Sequence, residues 1–137
     1  MKEITFEAKV ENLNDLLSFI DQELKDAGCT MKAHMAIDLA AEEIFVNIAN
    51  YAYGSEEGNA VIRLETDKDA SRVEITFIDE GMPYNPLEKE DPDVTLSAEE
   101  RQIGGLGVYI VKKSMDEVTY RFEDGKNMLK IVSSWQK

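Results

Sequence analysis

The pattern that decides the fold lies in Arg72-Val73-Glu74-Ile75-Thr76-Phe77-Ile78-Asp79-Glu80-Gly81. Polar and apolar side chains alternate there with a period of two, which indicates a β-strand with one buried face. Asp79 shares the parity of Val73, Ile75 and Phe77, so we expect its carboxylate to point towards the core. A carboxylate in that position needs a hydrogen-bond donor. The donor is either the chain's own turn before Gly81 or a bound ligand, and parity leaves both interpretations open.

Four further strands are predicted on either side of this segment. Their ranges are Met1–Val10, Val61–Thr66, Glu117–Glu123 and Asn127–Trp135, with a turn at Asp124-Gly125 between the last two. Together with the central strand they form a mixed, mostly antiparallel five-stranded sheet.

Three helices complete the pattern. Asn12 is expected to cap the first helix and Gly28 to end it, while Thr30 opens the second, which Gly54 closes. The third runs from about Leu106 to Met115. The second helix has six core candidates, namely Met31, Met35, Leu39, Ile44, Phe45 and Ile48. The order β-α-α-β-β-loop-α-β-β predicts an α+β two-layer sandwich with the helices on one face.

Composition narrows the range of functions. The 137 residues suit a single domain, 1–137, and the formal net charge is −13. This charge disfavours direct binding to nucleic acid or to an anionic membrane. It is compatible with a basic protein partner, or it merely keeps the protein soluble. Cys29 is the only cysteine, which excludes an intramolecular disulfide and fits a cytoplasmic location. With Cys29 and His34 isolated in sequence, a zinc site is not expected, and His34 is interpreted as a packing or surface residue.

A first candidate cluster consists of Glu43 and Asn47. They are four residues apart on the second helix and therefore share a face. An asparagine carbonyl is a suitable magnesium ligand, and a carboxylate beside it can deprotonate an attacking hydroxyl. The alternative, which the pair alone favours, is a solvated stripe of polar residues.

A second cluster is the glycine-rich segment Gly104-Gly105-Leu106-Gly107, which leads into the third helix. Glycine turns at the start of a helix expose backbone N–H groups that favour phosphate. The alternative is a flexible loop with a tight helix entry. Residues 80–103, which precede it, contain all three prolines, and long irregular segments of this kind are often functional.

Taken in order, these clusters resemble the nucleotide-binding boxes of the GHKL (Bergerat-fold) ATPases. Glu43-x-x-x-Asn47 is similar to the N box, Asp79-x-Gly81 to the first glycine box, and Gly104–Gly107 to the second. Within that superfamily the chain most resembles the anti-sigma-factor serine/threonine kinases. Supporting details are Tyr53-Gly54, the run from Asp79 to Pro86, and Met115-Asp116-Glu117-Val118.

The resemblance implies ATP and Mg²⁺ as cofactors and a role for each site residue. Asn47 would hold magnesium, Glu43 would be the general base for a serine hydroxyl, and Asp79 would bind the adenine amino group beside Gly81. Gly105, Leu106 and Gly107 would contact phosphate. The implied partners are a small anti-anti-sigma (STAS-type) protein, which would be phosphorylated, and a sigma factor or other regulator. Homodimerisation is a further implication.

Three departures from the family keep an alternative open. Tyr51 stands where a histidine is frequent, the lid arginine before the second glycine box is missing, and the 84–103 lid is acidic. Phosphoryl transfer usually needs a cation at the transition state. The alternative is therefore a catalytically weak ATP-binding module that regulates by protein binding only. The catalytic domain of a sensor histidine kinase is disfavoured because the chain has no room for a helix bearing a phospho-accepting histidine.

Overall fold

The computed structural model describes residues 1–54, 56–88 and 105–135, with 105–107 described by their backbone alone. The strands are β1 (Lys2–Glu7), β2 (Asn59–Asp67), β3 (Arg72–Asp79), β4 (Glu117–Glu123) and β5 (Lys126–Ser134). The helices are α1 (Leu13–Asp26), α2 (Met31–Asn47) and α3 (Gly105–Ser114). The predicted α+β fold with five strands is confirmed.

The strands form one sheet in the order β1-β2-β3-β5-β4. All four pairings are antiparallel, so the parallel pairing that a mixed sheet would contain is not observed among them. The hairpins β2–β3 and β4–β5 account for two of these pairings directly, because strands joined by a tight turn run in opposite directions. In the described part of the chain, no helix is both long and apolar enough to span a bilayer.

The inner face of the sheet carries the core. Ile62 pairs with Phe77 and Phe77 pairs with Leu129, and in the next row Ile75 pairs with Ile131. These side chains share one hydrophobic cluster with residues from all three helices. Asp79 continues the same parity and is only 7% exposed, so the predicted burial of this carboxylate is confirmed.

The predicted C-terminal end of α1 is confirmed, whereas its predicted N-terminal cap is wrong. Gly28 has φ +77°, and the N–H groups of Gly28 and Cys29 donate to the carbonyls of Lys25 and Leu24. This Schellman arrangement ends the helix as predicted. Asn12, however, makes no side-chain cap; its Nδ2 donates to the Glu7 carbonyl instead and ties the helix to β1.

The buried face of α2 differs from the prediction. Ile44, Phe45 and Ile48 are buried, but Met31, Met35 and Leu39 are 76%, 65% and 47% exposed and were wrongly assigned to the core. The remaining core positions on this helix are Ile37, Ala40 and Ala41. Because apolar residues occur on both sides of α2, hydrophobicity alone did not select the face; the face with small alanines packs inwards, where close approach is possible.

Beyond Asn47 the helix continues as a π-helical turn, Ile48–Ala52, and Gly54 closes it at φ +61° as predicted. The irregular segment predicted for 80–103 includes a short 3-10 turn at Pro86–Glu88. Most of this segment, and most of the predicted 84–103 lid, lies outside the described residues.

Candidate functional site

A cavity of about 390 Å³ lies between α2, α3 and the inner face of the sheet. This volume is within the usual range for small-molecule sites. Glu43, Asn47 and Asp79, which are three of the predicted site residues, all line it. Its walls are otherwise largely apolar, from Ile44, Ile48, Ala52, Phe77, Val108, Val111, Val118 and Leu129. The structure therefore brings together three predicted site residues that are up to 36 positions apart in sequence.

Asp79 is the buried anion of this cavity. Its Oδ1 accepts hydrogen bonds from the Gly81 backbone N–H at 2.9 Å and from the Asn127 side-chain amide at 2.9 Å. In the described part of the chain, Oδ2 accepts none. One carboxylate oxygen thus stabilises the turn, which was one of the two sequence interpretations, and the other oxygen remains available to a donor in the cavity.

Gly81 is required by a contact between two backbone segments. A Cβ atom at this position would lie 2.2 Å from the carbonyl oxygen of Ala52, in the π-helical turn. The next residue, Met82, donates its N–H to that same carbonyl at 3.0 Å. The glycine therefore lets the end of β3 dock against the turn that follows α2. Its expected contact with a flat ring remains a prediction.

Glu43 and Asn47 lie on the last two turns of α2, on the face that borders the cavity. Asn47 Nδ2 donates to Glu43 Oε1 at 3.3 Å. Both residues are half-buried, whereas Glu42 and Asn50 on the same helix are exposed. The pair is thus set apart from the solvated stripe that was the alternative interpretation. Because Nδ2 of the Asn47 side chain donates to Glu43, Oδ1 of Asn47 is the atom left to bind a cation.

The glycine-rich segment meets the cavity through α3, which begins at Gly105. Val108, one turn into the helix, and Val111 both line the cavity. Gly105, Leu106 and Gly107 form the first turn of α3, directly before Val108, and the N–H groups of such a turn favour an anion; their contact with phosphate remains a prediction. Gly104 lies outside the described residues.

Asn127, which was not among the predicted site residues, organises the cavity floor. Its side-chain Nδ2 donates to Asp79 Oδ1 and to the Met82 carbonyl, both at 2.9 Å. Its Oδ1 accepts from the Tyr84 N–H at 3.1 Å and from the Tyr120 hydroxyl. One buried amide thus fixes the carboxylate and the loop that follows it. Asn127 has the parity of the buried residues of β5, and this signal would have identified it.

Tyr53 fixes the opposite side of the loop. Its hydroxyl donates to the Asn59 carbonyl at 2.5 Å and accepts from the Glu80 N–H at 2.8 Å. Burial raises the pKa of this hydroxyl above its usual value, so it stays protonated and able to donate at neutral pH. Tyr53 supported the family resemblance in sequence, and the structure shows its local role, which is to hold the start of β2 and the end of β3 together.

The charged side chains that line the described part of the cavity are acidic. Among the described residues that line it, Glu43 and Asp79 are the charged ones, and neither a lysine nor an arginine contributes to the lining. A triphosphate placed here would therefore depend on backbone N–H groups and on a metal ion to offset its charge.

The fold is the α+β sandwich of the class that the sequence resembles. The family model of the histidine kinase-like ATPase domain matches residues 6–133, so this chain belongs to that family. Membership implies that the chain binds ATP.

Similar proteins include two bacterial kinases. Over 102 residues, the chain is 26% identical to the serine/threonine-protein kinase BtrW of Bordetella bronchiseptica, covering 74% of this chain and 71% of that protein. Over 108 residues, it is 25% identical to the serine-protein kinase RsbW of Listeria monocytogenes, covering 75% and 68%.

A solved structure supports the fold. The crystal structure of the RsbU and RsbW domains of Rv1364c from Mycobacterium tuberculosis superposes with a TM-score of 0.66 at 13% identity. The match covers 98% of this chain and 32% of the longer one. At this identity the likeness concerns the fold alone.

Proposed function

We propose that this protein is an ATP- and Mg²⁺-dependent serine/threonine kinase that phosphorylates a small anti-anti-sigma (STAS-type) protein and sequesters a sigma factor or another regulator. The observation that supports the proposal most strongly is the shared cavity of Glu43, Asn47 and Asp79. An adenine acceptor, a metal ligand and a general base are all needed in one site for this reaction. The names of the related kinases support the same class of activity.

The donor groups of the site suit magnesium-bound ATP. Asp79 retains one carboxylate oxygen for the adenine amino group, and Asn47 retains its carbonyl oxygen for Mg²⁺. Bound ATP would supply the phosphoryl group, and Mg²⁺ would supply the positive charge that the described cavity lining lacks. Gly105, Leu106 and Gly107 would receive phosphate at the start of α3.

In this proposal Glu43 is the general base for the partner's hydroxyl. Its Oε1 accepts from Asn47 at 3.3 Å, which orients the carboxylate and leaves Oε2 to accept a proton. The helix fixes this pair, so the base and the metal ligand keep a constant separation. Removal of a positioned general base typically lowers a rate by about 10²- to 10⁴-fold.

The test is phosphorylation of the cognate STAS-type partner by the purified chain with Mg²⁺ and ATP. We expect Glu43→Ala to lower the rate by at least about a hundredfold while ATP binding persists. Glu42→Ala is the matched control, because Glu42 is the exposed neighbour outside the cavity. Equal rates for Glu43→Ala and wild type would refute the assignment of the base.

A second candidate function is favoured by the absence of lysine and arginine from the described cavity lining. In this alternative the chain binds ATP and regulates its partner by association only. It predicts a partner complex that forms equally well with wild type and Glu43→Ala, with no phosphoryl transfer by either. If ATP does not change the formation of that complex, the nucleotide has no role in the regulation.

A further inference from the structure

A cluster of three potential metal ligands lies between α1 and α2, outside the nucleotide cavity. It consists of Asp21 on α1 and of His34 and Asp38 on α2. One ligand atom from each residue lies within 4.8 Å of the other two. None of the three lines the cavity described above. His34 is isolated in sequence, but the fold places a carboxylate from another helix beside it.

The geometry of the cluster is close to that of a metal site. His34 Nε2 lies 2.6 Å from Asp21 Oδ1 and 3.5 Å from Asp38 Oδ2. Zinc bonds of about 2.0–2.2 Å in a tetrahedron would place ligand atoms about 3.4 Å apart. The 3.5 Å pair already meets this spacing. The closer pair needs an outward shift of less than about 1 Å, which the half-exposed Asp21 side chain permits.

His34 Nε2 and Asp21 Oδ1 form a hydrogen bond at 2.6 Å, whereas one other polar atom of the cluster lacks a donor among the described residues. Asp38 Oδ1 is buried, and in the described part of the chain it has no hydrogen-bond partner. A buried carboxylate oxygen without a donor is costly, and a cation is one means of satisfying it.

We propose that Asp21, His34 and Asp38 form a binding site for a divalent transition-metal ion of the zinc type. The imidazole nitrogen selects against Mg²⁺ and Ca²⁺, which prefer ligand sets of oxygen alone. His34 and Asp38 are one helical turn apart, so α2 supplies two ligands from one face. The third ligand comes from α1, and the ion joins the two helices. Three protein ligands leave one coordination position for water.

The test uses the full chain freed of metal with EDTA and without nucleotide. Zn²⁺ is titrated calorimetrically, and Co²⁺ absorption reports nitrogen and oxygen ligation. We expect 1:1 binding and a Zn²⁺-dependent rise in Tm, because a ligand that binds only the folded state stabilises it. Asp21→Asn, His34→Gln and Asp38→Asn should each weaken binding by at least about tenfold. Mg²⁺ should produce no such response.

Two control variants separate this site from other sources of zinc affinity. Glu42→Gln removes an exposed carboxylate of α2 that is outside the cluster, and Cys29→Ser removes the only thiol. Both should bind Zn²⁺ as wild type does. Thermal unfolding in EDTA establishes that each variant is folded. Binding that survives His34→Gln and Asp38→Asn, or that disappears in Cys29→Ser, would overturn the proposal, as would the absence of 1:1 binding by wild type.

Discussion

The substitution Asn127→Asp provides a sharp test of the buried network beneath the cavity. In the wild type, Asn127 Nδ2 lies 2.9 Å from both Asp79 Oδ1 and the Met82 carbonyl oxygen and donates to each. Replacing the amide by a carboxylate changes this donor into an acceptor with almost no change in shape. Three acceptors would then meet without a proton between them.

The magnitude follows from the 2.9 Å separation. Two full charges at this distance repel by about 6 kcal/mol at an effective dielectric constant of roughly 20. If the pair instead keeps one proton at pH 7, the cost is smaller, about 4 kcal/mol, because an ordinary aspartate has a pKa of about 3.9 and would have released that proton. The folded variant therefore binds one proton that the unfolded chain releases. Its stability relative to wild type falls as pH rises, by about 1.4 kcal/mol per pH unit.

The assay is urea unfolding of wild type, Asn127→Asp and Asn127→Ala at pH 5, 6 and 7. We expect the Asn127→Asp deficit to grow by about 3 kcal/mol from pH 5 to pH 7. Asn127→Ala loses the same donor without adding a charge, so its deficit should be independent of pH. A pH-independent deficit for Asn127→Asp, equal to that of Asn127→Ala, would refute the placement of this amide against Asp79.

Three further predictions concern the loop and the thiol. Gly81→Ala should lower the free energy of unfolding by about 1–3 kcal/mol, because the added Cβ would lie 2.2 Å from the Ala52 carbonyl oxygen. A change below about 0.5 kcal/mol in urea unfolding would contradict this. Tyr53→Phe loses two hydrogen bonds and should cost about 1–2 kcal/mol, whereas Tyr51→Phe, at an exposed position, should be neutral by the same assay. Cys29 is half-buried, and its desolvation raises the thiol pKa to about 11, so iodoacetamide at pH 8 should alkylate the native chain roughly a hundredfold more slowly than the urea-unfolded chain. Equal rates would contradict the raised pKa.

Much of the fold could be predicted because local chemistry determines it. The Asp124-Gly125 turn has φ +53° and +76°, as a tight hairpin turn requires, and Gly28 ends α1 by a backbone motif of its own. The burial of Asp79 followed from strand parity, which depends only on the period of two. Each of these features is determined within a few residues of sequence.

The remaining features depend on which elements meet. The exposure of Met35 could not be predicted because α2 is apolar on more than one side, and the choice of face depends on how closely the helix approaches the sheet. The pairing of His34 with Asp21 joins two helices and leaves no periodic signal. Asn127 was detectable by parity, but three of its partners, Asp79, Met82 and Tyr84, lie 43 to 48 residues earlier in the chain.

The central claim is that the cavity binds ATP through Asp79. It is tested most directly by calorimetric titration of the folded chain with ATP and with GTP in the presence of Mg²⁺, for wild type and Asp79→Asn. GTP has a carbonyl where ATP has its amino group, so wild type should bind ATP 1:1 and prefer it. Asp79→Asn should bind ATP about 10- to 100-fold more weakly and lose the preference, since a hydrogen bond to a charged group contributes about 1.5–3 kcal/mol. No ATP binding by folded wild type, or equal affinities for wild type and Asp79→Asn, would contradict the claim.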